Sequence, residues 1–442
     1  MRDEAVAIVR RLRAAGHEAF WVGGSVRDLL RGVDPKDFDI VTSARPQEVQ
    51  SLFPRTAPVG ARFGVVLVVE NDRPYEVATF RTEADYDDGR HPARVAFATA
   101  AEDVQRRDFT VNGLLMDPET GRIVDYVEGR GDIERRLIRT IGAPDERFAE
   151  DRLRMLRAVR FAAALDFTID ADTFAAIQRH ASAIRGISAE RIREEISRLL
   201  TSGGARRGME LLAASGLLAE LLPEVAALKG VDQPPAFHPE GDVWEHTLRM
   251  LALLPGDADA RLAWAALLHD VGKADTRFED AAGVHFYGHV QEGERIAALI
   301  LQRLRFSGEE RSTVLALVRE HMRFMNVREM RPNRLKRFLR MPDFALHLEL
   351  HRLDCLGSHG LLENYEFCRG KLKEYSAEEL RPAPLLTGRD LIGMGCTPGP
   401  LFKEILDAVE DAQLGGEIAT AEEARALVRR RWAAAGNCRP VS

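Results

Sequence analysis

The sequence predicts an α+β protein, a small α/β head followed by a long all-helical body. Three observations carry that expectation. Early in the chain, short apolar, β-branched runs alternate with turn residues. The clearest case is GVVLVVENDRPYEVATFR, a hairpin pattern with runs at Val65–Val69 and Tyr75–Phe80 around a polar Asn71-Asp72 turn. From about residue 145 a helical period takes over, broken only at Gly186, Gly203-Gly204, Gly216 and Gly230. Two Pro- and Gly-rich stretches, GVDQPPAFHPEGDV (230–243) and RPAPLLTGRD (381–390), then punctuate the helical half.

Taken in order, residues 4–15 read as an amphipathic helix closed by Gly16. Ala19–Val22 is a strand entering Gly23-Gly24, Val26–Leu30 a helix, and Phe38–Val41 a second strand. EADYDDGRHPARV is polar and reads as a mobile loop, and RRDFTVNGLLMD (106–117) is taken as helical. The tail holds the turn CTPGP and two helices. The expected units are 1–145 (head), 146–230 (helical neck), 231–385 (second helical unit) and 386–442 (tail). At roughly 150 residues per domain, a chain of 442 fits that division.

Composition narrows the function classes. No run approaches the roughly 20 apolar residues that cross a bilayer. The charged opening MRDEAVAIVRRLRAAGHEAF reads as an amphipathic helix rather than a signal peptide. Four cysteines without CxxC spacing read as free thiols, so a cytoplasmic protein is expected. A net charge of −7 argues against indiscriminate nucleic-acid binding. One stretch, MRFMNVREMRPNRLKRFLR (322–340), nevertheless carries seven Arg or Lys and a single acid, Glu329. The ordinary reading of such a run is a solvated helix face. No oligomeric state is read from the sequence.

The segment FWVGGSVRDLLRGVDPKDFDIVTS joins two kinds of chemistry. On a strand, residues i and i+2 share a side, so Asp37 and Asp39 project together about 7 Å apart. Convergent carboxylates repel unless a cation lies between them, and hard ions such as Mg²⁺ take carboxylate oxygens together with substrate phosphates. Gly23-Gly24-Ser25 opens a helix with bare backbone N–H groups, which suits a phosphate. The pattern GG-S-V-R-D followed by D-F-D-I resembles the opening motif of the polymerase-β nucleotidyltransferase superfamily, in detail that of the bacterial class II CCA-adding tRNA nucleotidyltransferases and poly(A) polymerases. The resemblance implies a polymerase-β-like mixed sheet, Asp37 and Asp39 as metal ligands, and Gly23, Gly24, Ser25 and Arg27 lining a triphosphate pocket. Asp28 would brace the turn. Glu76 is a candidate third carboxylate, or equally an exposed strand residue.

Two further strings extend the likeness. RRDFTVN resembles the family's ribose-sensing motif and implies that Arg107, Asp108 and Asn112 contact nucleotide. Taken alone, Asp108 reads better as a helix cap, with Asn112 solvated. FAEDRLRMLRAVRFAAALDF (148–167) places Asp151 and Arg154 three apart on one helical face. An ionised Asp only accepts hydrogen bonds and an Arg only donates. Side by side, the pair matches the amino donor and ring-nitrogen acceptor of adenine and cytosine and mismatches guanine and uracil. The string resembles the family's nucleotide-selecting motif, with Glu150 holding Arg154, and Arg157 and Arg160 continuing a basic face toward phosphate or RNA. SAERIREEISRLL (188–200) resembles a further motif, in which Arg191 would brace the pocket. DYDDGRHP resembles the mobile loop between the first two motifs, and VDYVEGRGDIERRLIRTIG (124–142) a hinge.

In the helical half, His246, His269, Asp270, His289, His321 and Asp354 fall at or near apolar helix faces. Burying them without a shared cation would cost several kcal/mol. The order H…HD…H…H…D, with GK after HD, resembles the HD phosphohydrolases. It implies a core metal on His246, His269, Asp270 and Asp354, and a second ion toward His289 and His321. Mixed imidazole and carboxylate ligation favours a transition metal such as Mn²⁺, Fe²⁺ or Ni²⁺. His285 reads as a loop residue. The expectation is therefore a CCA-adding enzyme using CTP and ATP on tRNA, with an HD-type phosphodiesterase or phosphatase in the same chain. The alternatives are a poly(A) polymerase, a partial CC- or A-adding enzyme, a protein that is mainly an HD phosphohydrolase, and a non-catalytic RNA-binding protein.

Overall fold

The computed structural model of the chain describes residues 1–57, 64–86, 92–234, 238–239 and 241–433. They fall into two compact units: residues 1–230 with 251–263 and 299–307, and residues 231–250 with 264–298 and 308–442.

The first unit is built on a seven-stranded mixed sheet. Its strands are β1 (Ala19–Val22), β2 (Asp39–Thr42), β3 (Thr56–Ala57), β4 (Val65–Glu70) and β5 (Arg73–Thr79), with β8 (Leu114–Met116) and β9 (Ile123–Asp125) added beyond a separate hairpin, β6 (Arg81–Tyr86) and β7 (Pro92–Phe97). The order is β3-β4-β5-β2-β1-β8-β9, antiparallel except for the β2–β5 pair. The amphipathic helix Arg2–Ala14 buries Ala5, Ile8, Val9 and Leu12, the i, i+3, i+4, i+7 face that its spacing dictates. The β4–β5 turn holds both Asn71 and Asp72 at positive φ (50° and 60°), the two-residue geometry that matches strand twist.

Register decides where the chemistry goes. β1 runs antiparallel to β2, so Val22, the last residue before the Gly23-Gly24 turn, lies opposite Asp39. β2 runs parallel to β5 with Ile40 beside Val77, which places Glu76 next to Asp39 one position earlier. Phe38 is buried and packs against Trp21 at 4.4 Å, so the alternation turns its neighbours Asp37 and Asp39 away from that core.

Two expectations in the head are corrected. RRDFTVNGLLMD is not an α-helix: a single 3₁₀ turn, Thr110–Asn112, leads into β8, and Phe109 bridges to Thr140. The polar segment expected as a loop supplies β6 and β7, paired from Arg81–Phe97 to Tyr86–Pro92, while residues 87–91 lie outside the described residues.

The neck contains the helices Pro144–Glu150, Leu153–Leu165, Ala171–His180, Ala189–Leu200 and Ala205–Ala214. The helical pattern across 148–167 is broken at Asp151, which is extended (φ −141°, ψ 103°) and accepts the Leu153 N–H at 3.0 Å. Asp151 therefore stands in a break before the helix of Arg154, not on one continuous face with it.

The second unit is helical apart from a small hairpin, Phe278–Asp280 with Gly283–His285. His285 closes that strand instead of lying in a loop. Among the described residues the tail has three α-helices, Gly388–Gly393, Pro400–Leu414 and Ala421–Val428, and a closing π-helical turn, Arg429–Ala433, where two helices are expected, with a core of Leu391, Ile405, Val409 and Leu427. Cys355 and Cys368 are free and buried, and burial pushes their thiols up to about 12. Cys396 is disulfide-bonded, against the expectation of free thiols, and its partner lies outside the described residues. His347 and His351 are buried on the helix Phe344–Gly357, and His351 stacks on Phe324 at 4.3 Å.

Two predictions follow from this packing. A Cβ on Gly129 would sit 2.1 Å from the Thr110 carbonyl oxygen. Gly129→Ala should therefore cost about 1–3 kcal/mol in urea unfolding, as overpacked sites do. Burial lowers His347 and His351 to about 4 from an ordinary value of 6.5, against the pull of Glu320 and Asp343 on His347 and of Asp354 on His351. The unfolded chain then binds more protons than the native one between those pH values, so stability falls as pH drops from 6.5 toward 4. By pH 5 each ring accounts for about 2 kcal/mol of that loss. Among the described residues the His347 Nδ1 is buried without a hydrogen-bond partner, so His347→Phe orphans no group at that atom. The variant should flatten the decline between pH 7.5 and pH 5 by one such share.

Candidate active site and metal centre

At one end of the sheet, Asp39 is half-buried with Asp37 and Glu76 as like-charged neighbours. Burial foremost, then Asp37 and Glu76, push its carboxyl up to about 6, and Arg107 alone pulls it down. Arg107 is in turn held by Asp103, fully buried on the helix Ala100–Gln105, at 3.1 Å. A Cβ on Gly23 would lie 3.6 Å from Arg107 Nη1, and Gly23 takes φ +73°, so a bare turn and a guanidinium share the corner with the carboxylates. The Ser25 hydroxyl is buried and donates to the Val22 carbonyl at 3.1 Å, which commits it to the turn instead of to a pocket wall. Asp28 pairs with Arg27 and Arg31, bracing the same helix.

Behind this corner runs a chain of alternating partners. Arg27 donates to Asn112 Oδ1 at 2.8 Å, and Asn112 Nδ2 donates to Asp108 at 3.2 Å. Asp108 also accepts both Nε and Nη2 of Arg157, at 2.8 and 2.7 Å. Burial alone would raise the Asp108 carboxyl, but Arg157, Asn112 and the Phe109 N–H hold it at about 2. Arg157 and Arg160 both reach Glu195, at 3.7 and 2.6 Å. Instead of continuing an open basic face, these two arginines are tied into the interior. Asp108 and Asn112 do come within a hydrogen bond of each other, through the 3₁₀ turn and not a helical i,i+4 pair.

The base-selecting candidates are also braced. Arg154 is 7% exposed and donates to Glu150 at 2.6 Å and to the carbonyls of Arg147 and Arg106 at 3.2 and 3.1 Å. Asp151 accepts from Arg191 at 2.8 Å. Arg147, which sequence reasoning passed over, donates to Glu150 and to the carbonyls of Arg106 and Arg107, joining the two motifs. Asp103 and Glu195 were missed as well. Asp103 stands three and four residues before Arg106 and Arg107, a spacing that marks a helical ion pair. Glu195 stands three residues before Arg198, the same spacing, but that signal did not point to Arg157 and Arg160, with which it pairs.

The second unit gathers its titratable residues into two adjoining groups. His246, His269 and Asp354 form one; Asp270, His289 and His321 form the other. In each, one ligand atom per residue lies within 4.8 Å of the rest. The orientation of the rings is informative. Nδ1 of His269, His289 and His321 lies 3.0, 2.8 and 2.6 Å from the carbonyls of Ala266, Phe286 and Val318. Each Nδ1 therefore carries the proton and each Nε2 offers a lone pair. Among the described residues, Nε2 of His289 and of His321 is buried with no hydrogen-bond partner. His269 Nε2 points at His246 Nε2 from 3.3 Å, and His246 lies 3.2 Å from Asp354. Burial lowers His321 to about 4, which keeps that ring neutral. Burial would raise Asp354 and Asp270, yet the histidines, with Lys273 beside Asp270, hold both far below the usual carboxylate range. Converging lone pairs and carboxylates in a dry pocket fit a divalent cation.

A cavity of about 360 Å³ opens onto this cluster, lined among others by His238, Phe286, Tyr287, Met322, Met325 and His359. Lys273, buried 2.7 Å from both Asp270 and Gln233, also reaches it. His285 lines it too, stacked on Tyr287. His238 had been passed over as part of a linker, although its ring lies 5.1 Å from that of His246.

Comparison with known proteins matches this division of chemistry. The family profile described as "Poly A polymerase head domain" matches residues 19–139, "Probable RNA and SrmB- binding site of polymerase A" matches 166–229, and "HD domain" matches 243–343. The CCA-adding enzyme of Geobacillus kaustophilus is 49% identical over 226 residues, 51% of this chain and 55% of that protein. That of Geobacillus stearothermophilus is 42% identical over 278 residues, 62% of this chain and 64% of that one. The aligned stretch thus spans between about half and two thirds of these curated relatives. The crystal structure of the Bacillus stearothermophilus CCA-adding enzyme in complex with CTP superposes with a TM-score of 0.76 at 31% identity, covering 99% of both chains. A likeness of that identity, running nearly end to end, places the chain in the family of the CCA-adding enzymes.

Proposed function

We propose that this chain adds C and A nucleotides to the 3′ end of tRNA from CTP and ATP by metal-dependent nucleotidyl transfer. The observation that carries the reading is the strained carboxylate Asp39, set between Asp37 and Glu76 at the end of the sheet where the Gly23-Gly24 turn begins. Asp37 and Asp39, with Glu76 as a third carboxylate, would hold Mg²⁺. Bound there, the ions neutralise the triphosphate and make the terminal RNA hydroxyl a better nucleophile. The rest of the work falls to the chain. Arg107 faces the carboxylates and is oriented by Asp103 to meet phosphate. Gly23 and Gly24 leave the backbone open to the same group, and Arg27, Asp108 and Asn112 form the ribose-facing network. Asp151 and Arg154 select the base, since an acceptor beside a donor fits adenine and cytosine alone. Arg157 and Arg160 serve as positioning residues. Within this reading, residues 1–145 form the head and 146–230 the nucleotide-selecting and RNA-gripping neck, with 231–385 as the HD-type region and 386–442 as the tail. No helix among the described residues is long and apolar enough to cross a membrane, and a tRNA substrate assigns the protein to the cytoplasm.

The second unit supports a further activity, metal-dependent phosphoester hydrolysis. His246, His269, Asp270 and Asp354 would hold the core ion and His289 and His321 a second. The imidazole-rich set suits Mn²⁺, Fe²⁺ or Ni²⁺.

One assay tests both activities. With a tRNA lacking its CCA end and each NTP singly or mixed, the chain should consume CTP and then a single ATP. A long A tail would instead mark a poly(A) polymerase, and incorporation of only C or only A a partial enzyme. Asp39→Asn should slow incorporation by at least ~100-fold, the equivalent of several kcal/mol of lost charge stabilisation, while phosphoester hydrolysis persists. His269→Ala should do the reverse. Loss of both activities in either variant would mean that the two sites do not act separately.

A further inference from the structure

Three guanidiniums meet one aromatic ring in the first unit. Phe161, on the helix Leu153–Leu165, is half-buried and makes a T-shaped contact with Phe109, centroids 5.9 Å apart. The Cζ atoms of Arg160, Arg157 and Arg27 lie over the same ring, 4.1, 5.2 and 5.5 Å from its centroid. Arg157 and Arg160 share its helix, whereas Arg27 comes from the helix Gly24–Leu30.

Like charges gathered this closely repel, and each needs compensation. Burial foremost lowers the Arg160 guanidinium, with Arg157 and Arg198 adding to it against the pull of Glu195. Arg157 and Arg160 are met by carboxylates from other segments, Asp108 at 2.7 Å and Glu195 at 2.6 Å. Arg27 has less to hold it. Its Nε reaches its own neighbour Asp28 at 2.9 Å, and its Nη1 the neutral amide oxygen of Asn112 at 2.8 Å. Its Nη2 makes no hydrogen bond among the described residues and lies 3.6 Å from where a Cβ on Gly24 would stand. The donor left over therefore faces the turn whose backbone is open to phosphate. Hydrogen bonds made in the guanidinium plane resist sliding better than tilting, and an aromatic face against that plane resists tilting.

We propose that Phe161 is a positioning residue for nucleotidyl transfer, its π face holding Arg27 so that Nη2 meets the phosphates of the incoming nucleotide at the Gly23-Gly24 turn. The proposal rests on the nucleotidyltransferase reading of the Asp37–Asp39 site. Phe161 itself touches no substrate. A ring that only filled space would act through its volume, whereas this one acts through the negative charge of its face.

The test separates those two. In the full chain, Phe161 is replaced by its mono-, di- and trifluoro derivatives, which drain charge from the ring face and barely change its size. Equilibrium binding of CTP with Mg²⁺, and of inorganic tripolyphosphate with Mg²⁺, should weaken stepwise with fluorine number, reaching about fivefold at the trifluoro ring. Phe161→Leu should weaken binding at least as much, and Phe161→Tyr, which keeps the face, should stay near wild type. At saturating CTP, kcat should change by less than ~twofold, and rejection of GTP and UTP should be unaffected. Thermal unfolding is measured on each protein. A flat fluorine series, with wild type still binding both ligands, overturns the inference and leaves the nucleotidyltransferase reading standing. A loss that follows Tm instead of fluorine number overturns it too. So does a change in kcat or base choice at constant affinity, which would place the effect of the ring on Arg157 and Asp108. If wild type binds neither ligand in the presence of Mg²⁺, the reading fails and the inference falls with it.

Discussion

A carboxylate removed from water must be met by charge or by well-placed donors, at a cost of several kcal/mol otherwise. In the first unit that constraint falls on Asp108, and meeting it organises the surroundings of the candidate site. Arg157 supplies a bidentate partner and Asn112 a donor, while Asn112 passes its oxygen to Arg27 and Arg157 and Arg160 share Glu195. Four segments far apart in the chain are joined by this one series: the helix at 24–30, the turn at 108–112, and the helices at 153–165 and 189–200. Because each partner is fixed on both sides, removing one leaves a buried group unsatisfied at the next. The rigidity of Arg27 and Asn112 thus comes through Asp108 from Arg157, Arg160 and Glu195 behind them.

Asp39 shows what happens when that compensation is withheld. Its neighbours are two more carboxylates, and the opposing Arg107 is already shared with Asp103. The corner carries an excess of negative charge that Arg107 offsets only in part, a condition that favours a divalent cation. The second unit reaches the same condition by another route. Its rings give their Nδ1 protons to backbone carbonyls, leaving lone pairs directed at one another and at two acids. Pairing within the protein is nearly complete around Asp108 and incomplete at these two places. That contrast, more than any motif, separates framework from candidate site.

Much of this was legible in the residues because it depends on local spacing. The alternation around Phe38 put Asp37 and Asp39 on one side, and β-branched runs marked the β4–β5 hairpin. The histidines on apolar faces could not be reconciled with burial unless they shared something. What was not legible depends on long-range pairing. Whether Arg157 faces solvent or Asp108 turns on a contact 49 residues away, and a helix face gives no sign of which. The break at Asp151 was hidden because the apolar period continues through it. The strands β6 and β7 were read as a loop because polar residues in a two-stranded hairpin need no buried face. His238 was lost to a proline-rich context that described the backbone and said nothing of the ring.

Under the proposed function, the donor sets also account for two metal-dependent sites in one chain, each suited to its own ion. The head offers carboxylate oxygens, hard donors that would suit Mg²⁺ in company with substrate phosphates. The second unit offers imidazole nitrogen with two buried acids, a softer and more enclosed set that favours a later first-row ion and can retain it between turnovers. A later first-row ion such as Ni²⁺ would gain little from the carboxylates at Asp37 and Asp39, and Mg²⁺ would have to shed water against neutral imidazoles for which it has little affinity. The separation is thus written into ligand chemistry and does not depend on how the units are arranged.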